Sequence, residues 1–179
     1  QAISVLSQQI SVISNKLSAV GPWAVRGLSA IVSGTSTLNM AADAVAFYNP
    51  TNTGIITLVS VVAVTNNVGL SAGVDNGRDQ AATFTSSIWV HFYLVLDGTT
   101  IKSRSSLTAP PTGPTLQGTE KAWAYCGSIF RDASNNLRVV YIRGARVTLQ
   151  AYNRVLNAGT ATVETAVGLS AAIPPNTVD

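Results

Sequence analysis

The sequence predicts a mainly β protein, an N-terminal trimeric coiled-coil helix leading into an antiparallel β-sandwich head of jelly-roll type. Three observations predict it. Residues 3–20 repeat a heptad, ISVLSQQ then ISVISNK then LSAV, with an apolar seam at Ile3, Leu6, Ile10, Ile13, Leu17 and Val20. Beyond Gly21-Pro22 the chain becomes a series of short β-branched and aromatic runs bounded by turn residues. Only 11% of its 179 residues are charged while 46% are hydrophobic, against about 25% charged in an average soluble domain.

The heptads come first in the chain. A helix of about 18 residues is marginal alone in water, so its seam requires a partner. Ile at both core positions favours three or more strands, and here the core mixes Ile3, Ile10 and Leu17 with Leu6, Ile13 and Val20. Lys16 is the sole charge on the helix, so ion pairs do not set the pairing. The alternative is one amphipathic helix folded against its own domain. Gly21 and Pro22 end the helix. The division that follows is a stalk at 1–21, a neck at 22–27 and a head at 28–179. The chain starts within a heptad register, which predicts a longer protein upstream.

The head's expected strands are Leu28–Ser33, Ala44–Tyr48, Ile55–Thr65, Ser87–Leu96, Thr100–Ser106, Trp123–Arg131, Leu137–Ile142, Arg146–Ala151 and Thr160–Gly168. Thr37–Ala46 is ambiguous between helix and strand. Asp97-Gly98 predicts a type I′ hairpin, Asp132–Asn136 a second hairpin loop, and Arg143-Gly144 a bend. Asn49–Gly54 reads as a turn, and the three prolines of Ala109–Thr115 predict an extended surface loop. In Ile88–Leu96, Val90, Phe92, Leu94 and Leu96 form the core face. Trp89, His91, Tyr93 and Val95 form an aromatic second face, expected against a neighbouring subunit or the neck. The apolar run Ile55–Val64 is about ten residues, half the length of a membrane helix, and reads as a buried strand without membrane insertion.

Chemistry is sparse. Cys126 is the single cysteine, which excludes an intrachain disulfide or a Cys-based zinc site within one chain. His91 is the single histidine and sits mid-strand, where a structural role is expected. No phosphate loop or dinucleotide fingerprint is present, and the eight acidic residues are scattered. No catalytic residue, cofactor or metal ligand is assigned, and the chain reads as a non-enzyme. Gly73–Asp79 offers oxygen donors at Asp75, Asn76 and Asp79, but Asp75-Asn-Gly77 is also a good turn. Residues 101–179 hold eight of the eleven basic groups, yet alternation spreads the arginines over different faces, which argues against nucleic acid. Loop residues suited to a sugar, by aromatic face, amide or charge, are Tyr48, Asn49, Asn52, Asp75, Asn76, Arg78, Asn135 and Asn136.

Several pieces together resemble the C-terminal regions of tailed-bacteriophage tail fibres and related receptor-binding proteins. They are the Ser/Gln-rich heptads, Gly73–Asp79 followed by Ser87-Ile-Trp-Val-His-Phe-Tyr93, the Ser-rich then Pro-rich Ser103–Pro114, Cys126-Gly-Ser-Ile-Phe-Arg-Asp-Ala-Ser-Asn-Asn136, and Leu169-Ser-Ala-Ala-Ile-Pro-Pro175. The chain has Asn135-Asn136 where that family's hairpin has Gly-Asn. The resemblance implies a homotrimer in the virion, at the tail fibre or baseplate periphery. It implies contact with other virion tail proteins and attachment to a host-surface structure, expected to be a glycan. It implies no catalytic residues. The alternatives are a purely structural virion module, a trimeric cellular ligand of the tumour-necrosis-factor or C1q type, and a polysaccharide-degrading enzyme.

Overall fold

The computed structural model describes residues 25–49, 55–144 and 146–150, with side chains throughout except at 55–62. The heptad seam Ile3–Val20, the neck before Val25, Asn52 and the expected strand Thr160–Gly168 lie outside the described residues.

The described residues are mainly β and antiparallel, with nine strands and no helix: β1 Val25–Arg26, β2 Ser29–Val32, β3 Thr37–Tyr48, β4 Ile55–Asn67, β5 Ile88–Asp97, β6 Thr100–Ser106, β7 Glu120–Arg131, β8 Val140–Arg143 and β9 Arg146–Leu149. All are hydrogen-bonded into one sheet, along the path β6-β5-β7-β3-β2-β8-β9, with β1 and β4 also on β3.

The hub is β3. Met40 is partnered by both Ala30 and Val64, so β2 and β4 occupy opposite edges. Tyr48 is likewise partnered by Trp123 and Ile55, so β7 shares the edge of β2. The ambiguous stretch Thr37–Ala46 is therefore strand. Its Ala, Leu and Met favour helix intrinsically, but Leu38, Met40 and Ala42 alternate inward and both edges are paired. Irregularities near Ala42, Val45 and Tyr48 break the ladder with β4; such bulges bend a strand. The sheet accordingly curls until β6 approaches the end of β4. There Asn66 Nδ2 donates to Ser103 Oγ at 3.1 Å, and Arg78 bridges Ser105 in parallel.

The interior side of this curl is the main core, with Leu38, Met40, Val45, Phe47, Phe84, Phe92, Leu94 and Ile129 buried. A smaller core lies on the opposite face of β5, where Tyr93, Val95 and Trp123 pack with Tyr48, Leu116 and Tyr125. The aromatic face of β5, expected against a neighbouring subunit or the neck, is at Tyr93 and Val95 packed instead against other residues of the head. Within the chain itself, the strap 107–119 covers it: Tyr93 Oη donates to Thr108 O at 2.6 Å. Gly113 sits at φ +75° so close to Trp123 that a Cβ there would lie 2.4 Å from Cε2. The Pro-rich segment is thus a cover, with Gly113 and Pro114 buried, rather than a free surface loop.

Two turns also differ in detail. Asp97 pairs with Thr100, so the loop is Gly98-Thr99. Only Gly98 has positive φ, at +60°. Gly at the first loop position is the type II′ signature, not type I′. Asp97 is freed from the turn to receive Lys102. The Asp132–Asn136 hairpin forms as expected: Asp132 Oδ1 accepts Ser134 N and Asn136 N, both at 2.9 Å. Asn135 takes φ +67°, the left-handed conformation Asn tolerates in place of Gly.

Candidate functional site

The single histidine and single cysteine are interior. His91 Nδ1 lies 3.2 Å from Tyr125 Oη, and burial lowers its pKa, which favours the neutral ring. Burial pushes the Cys126 thiol up to about 12, so it is not an available thiolate. Tyr93 is raised by burial, then by neighbouring Tyr125 and Asp79, and stays a phenol donor. Among the described residues no group of three or more His, Cys, Asp or Glu could hold a metal ion.

The polar loop 73–79 turns its donors and acceptors onto the protein. Asn76 Oδ1 accepts Ser103 N at 2.8 Å. Arg78, 3% exposed, donates Nη1 to Val68 O at 2.8 Å and Nη2 to Ala81 O at 3.2 Å. Asp79 Oδ2 accepts Thr115 N at 3.0 Å, and its main-chain oxygen accepts Gln117 Nε2 at 2.9 Å. The loop thereby welds the end of β4, the edge of β6 and the strap. Beneath it Arg104 and Glu120 form a buried ion pair, Nη2 to Oε1 at 2.6 Å, with Arg104 Nη1 also reaching Val74 O. Sequence reasoning missed this pair, because residues 16 apart on different strands carry no spacing signal.

Asp75, by contrast, is exposed and holds Lys102 Nζ at 2.9 Å, while Asp97 holds the same ammonium at 2.7 Å. The hydrogen bond from Lys102 lowers Asp97 most, Thr119 adding to it, and Asp97 in turn raises Lys102.

The remaining candidates separate. Tyr48 packs edge-on against Trp123, ring centroids 5.3 Å apart. Asn49 is half-buried beside it and already engaged. Asn135 and Asn136 stand at the β7–β8 turn, far in the chain from Asp75.

At that turn lies an open cleft of about 590 Å³ between the β2–β3 turn and the segment 132–139. Ser33, Thr35, Asp132, Asn136 and Arg138 supply its polar groups, and Val32, Leu137 and Val139 its apolar floor. The two walls are joined by Leu137 N donating to Thr35 O at 2.8 Å. Arg138 is braced with its guanidinium carbon 4.6 Å from the centre of the Phe130 ring. Hydroxyl, amide, carboxylate and guanidinium groups on two rigid turns can hydrogen-bond a polyhydroxylated ligand, and the floor can take a sugar's C–H face. Of the sequence candidates only Asn136 lines this cleft. Ser33, Thr35, Asp132 and Arg138 are not among the sugar candidates; the β2–β8 pairing and the Leu137–Thr35 hydrogen bond bring them together.

No family model matches this chain, and comparison with curated proteins and with solved structures likewise returns no match.

Proposed function

We propose that this chain is the stalk and head of a homotrimeric fibre, of the kind found on tailed-bacteriophage tails, that attaches the virion to a host-surface glycan. The heptads Ile3–Val20 form the trimeric coiled coil, and the curled sheet is the sandwich-like head. The observation that carries the reading is the joining of a seam needing partner helices to an antiparallel β head only five residues later, at Val25. The cleft at Ser33–Thr35 and Asp132–Val139 takes the sugar. Its contacts are few, so a single site is weak. Three on one stalk gain from effective concentrations in the millimolar range for short tethers. A 27 Å stalk, from about 1.5 Å per residue over 18 residues, holds them in fixed relation.

A purely structural module is the second reading, supported by the loop 73–79, whose Asn76 and Arg78 are consumed by internal bonds. A glycan array separates the two. Binding to bacterial surface polysaccharides that falls at least tenfold in Asn136→Ala and Arg138→Ala supports attachment; an array without signal for a correctly trimeric chain favours the structural module. Light scattering on the same sample should give close to three times 18.6 kDa; a monomer refutes the fibre.

A further inference from the structure

Three neighbouring segments of the sheet place a row of side chains beside the cleft. Trp89 on β5 opposes Phe130 on β7, so the two share a face. Their rings meet edge-on, with centroids 5.4 Å apart. On the other edge of β7, Arg138 N donates to Phe130 O at 2.9 Å. The Arg138 guanidinium carbon stands 4.6 Å from the centre of the same ring. The two separations together bring the Trp89 ring centre within about 10 Å of that carbon, two strand spacings away. Arg138 also lines the cleft, and Leu137 N ties that wall to Thr35 O. A track therefore runs from Thr35 through Arg138 and Phe130 to Trp89, three strand spacings or about 14 Å long.

Trp89 differs from the other aromatic residues of its face. Tyr93 and Trp123 are fully buried, whereas Trp89 is half-buried and keeps part of its indole at the surface. The approach to it is rich in hydroxyls, with Thr85, Ser86 and Ser87 exposed immediately before β5. Ser87 takes φ +57°, a left-handed conformation that persists at a non-glycine residue only where the surroundings impose it. Here they do: Ser87 N donates to Asp132 O at 3.2 Å, and Asp132 lines the cleft. The turn that delivers Trp89 is thus pinned to the cleft wall itself. A partly exposed indole suits the C–H face of a sugar, and the hydroxyls at its rim suit the sugar's own. We propose that Trp89 is a second sugar subsite, joined to the cleft across Arg138 and Phe130, and that the ligand is an extended oligosaccharide chain rather than a single terminal sugar. The inference rests on the glycan-attachment reading and sets the length of its ligand. One ring seated between Ser33 and Asn136 does not reach an indole two strands beyond Arg138; a chain of two or more units does.

The test uses the full chain and fragments of one to four sugar units cut from the strongest binder on the glycan array. Calorimetry should show affinity rising with fragment length in the parent. Trp89→Ala should lose about tenfold on the longest fragment and less than about twofold on the single sugar, whereas Asn136→Ala loses on both. The parent's tryptophan emission should change on binding the longest fragment, and Trp89→Phe, which keeps a ring against Phe130, should abolish that change; this readout decides the matter if Trp89→Ala fails to fold. Affinity that is flat with length, a Trp89→Ala loss equal at every length or absent, or an emission change that persists in Trp89→Phe overturns the proposal, and Asn136→Ala losing affinity in the same series leaves the cleft reading intact. A Trp89→Ala chain that folds but loses the parent's trimeric mass in light scattering assigns the indole to a second copy and also overturns it. An array without any binder overturns both readings.

Discussion

Removing the Glu120 charge should unfold the loop, strap and β6 junction. The Arg104 and Glu120 side chains are 2% and 1% exposed. Arg104 Nε and Nη2 both donate to Oε1, at 2.8 and 2.6 Å. Glu120 Oε2 accepts Gln117 N at 2.8 Å, and Arg104 Nη1 reaches Val74 O. Glu120→Gln keeps the shape but leaves a guanidinium buried without its counter-charge. Breaking a buried pair in this way costs about 3–5 kcal/mol. At about 2–4 °C per kcal/mol for a domain of this size, Tm should fall by roughly 6–20 °C. Arg104→Met/Glu120→Leu removes both charges and should recover at least about half of that loss. Full recovery is not expected, because Val74 O and Gln117 N each lose a partner, at about 1–3 kcal/mol if they stay buried. The measurement is a double-mutant cycle by circular dichroism at fixed protein concentration, which an oligomer requires. A loss below about 1 kcal/mol for Glu120→Gln would refute the reasoning, since that is the behaviour of a solvated surface pair.

Gly113→Ala should cost about 2–4 kcal/mol in chemical denaturation, combining a left-handed backbone with overlap on Trp123; a neutral result would mean the strap lifts freely from β7. The lowered pKa of His91 means the unfolded chain takes up a proton below pH 6.5 that the native state refuses. Stability is therefore fully present above that pH and declines as pH falls toward the native pKa, by at most about 1.4 kcal/mol per pH unit. Unfolding midpoints between pH 7.5 and 5.5 should show this, and His91→Gln should flatten it. Cys126, with its thiol pushed up to about 12, should react with an aromatic disulfide roughly a thousandfold slower in native than in denatured protein; rapid native labelling would show that β7 opens locally.

Alternation and turn chemistry made most of the described strands legible, Thr37–Ala46 excepted, because both are local. The Asp132–Asn136 hairpin was readable for the same reason: one Asp supplies the acceptor and one Asn tolerates the left-handed position. What escaped was long-range. The second face of β5 looked like an interface because nothing in Trp89-Val-His-Phe-Tyr93 shows that Leu116 and Gly113 fold over it. The cleft escaped because Thr35 and Leu137 are brought together by a sheet that the sequence orders only in part. The polar loop 73–79 was legible as polar, but its direction was not. Whether Asn76 and Arg78 face solvent or Ser103 and Val68 depends on the curl of β3, which bulges decide.

The charges of this chain are few, and several are internal. Among its eleven basic and eight acidic residues, Arg78, Arg104, Arg131, Asp79 and Glu120 are buried, and Lys102 is held between Asp75 and Asp97. Of the charged residues left at the described surface, Asp132 and Arg138 line the cleft beside its hydroxyl and amide groups, so recognition there combines one carboxylate and one guanidinium with neutral hydrogen bonds and shape. Binding by such a surface should depend only weakly on salt, because the two cleft charges are of opposite sign, and screening over about 10 Å at 0.1 M acts on exposed charges and not on short neutral hydrogen bonds. Glycan affinity should change less than about threefold between 50 and 500 mM sodium chloride. A nucleic-acid partner behaves differently: with 6–10 phosphate contacts its affinity falls by about a thousandfold or more over a narrower range. Surface plasmon resonance on an immobilised polysaccharide distinguishes the two. A steep salt slope would mean that Arg138, Arg143 and Arg146 act together as a basic patch, and that the ligand is an acidic polymer held by charge rather than a sugar held in the cleft.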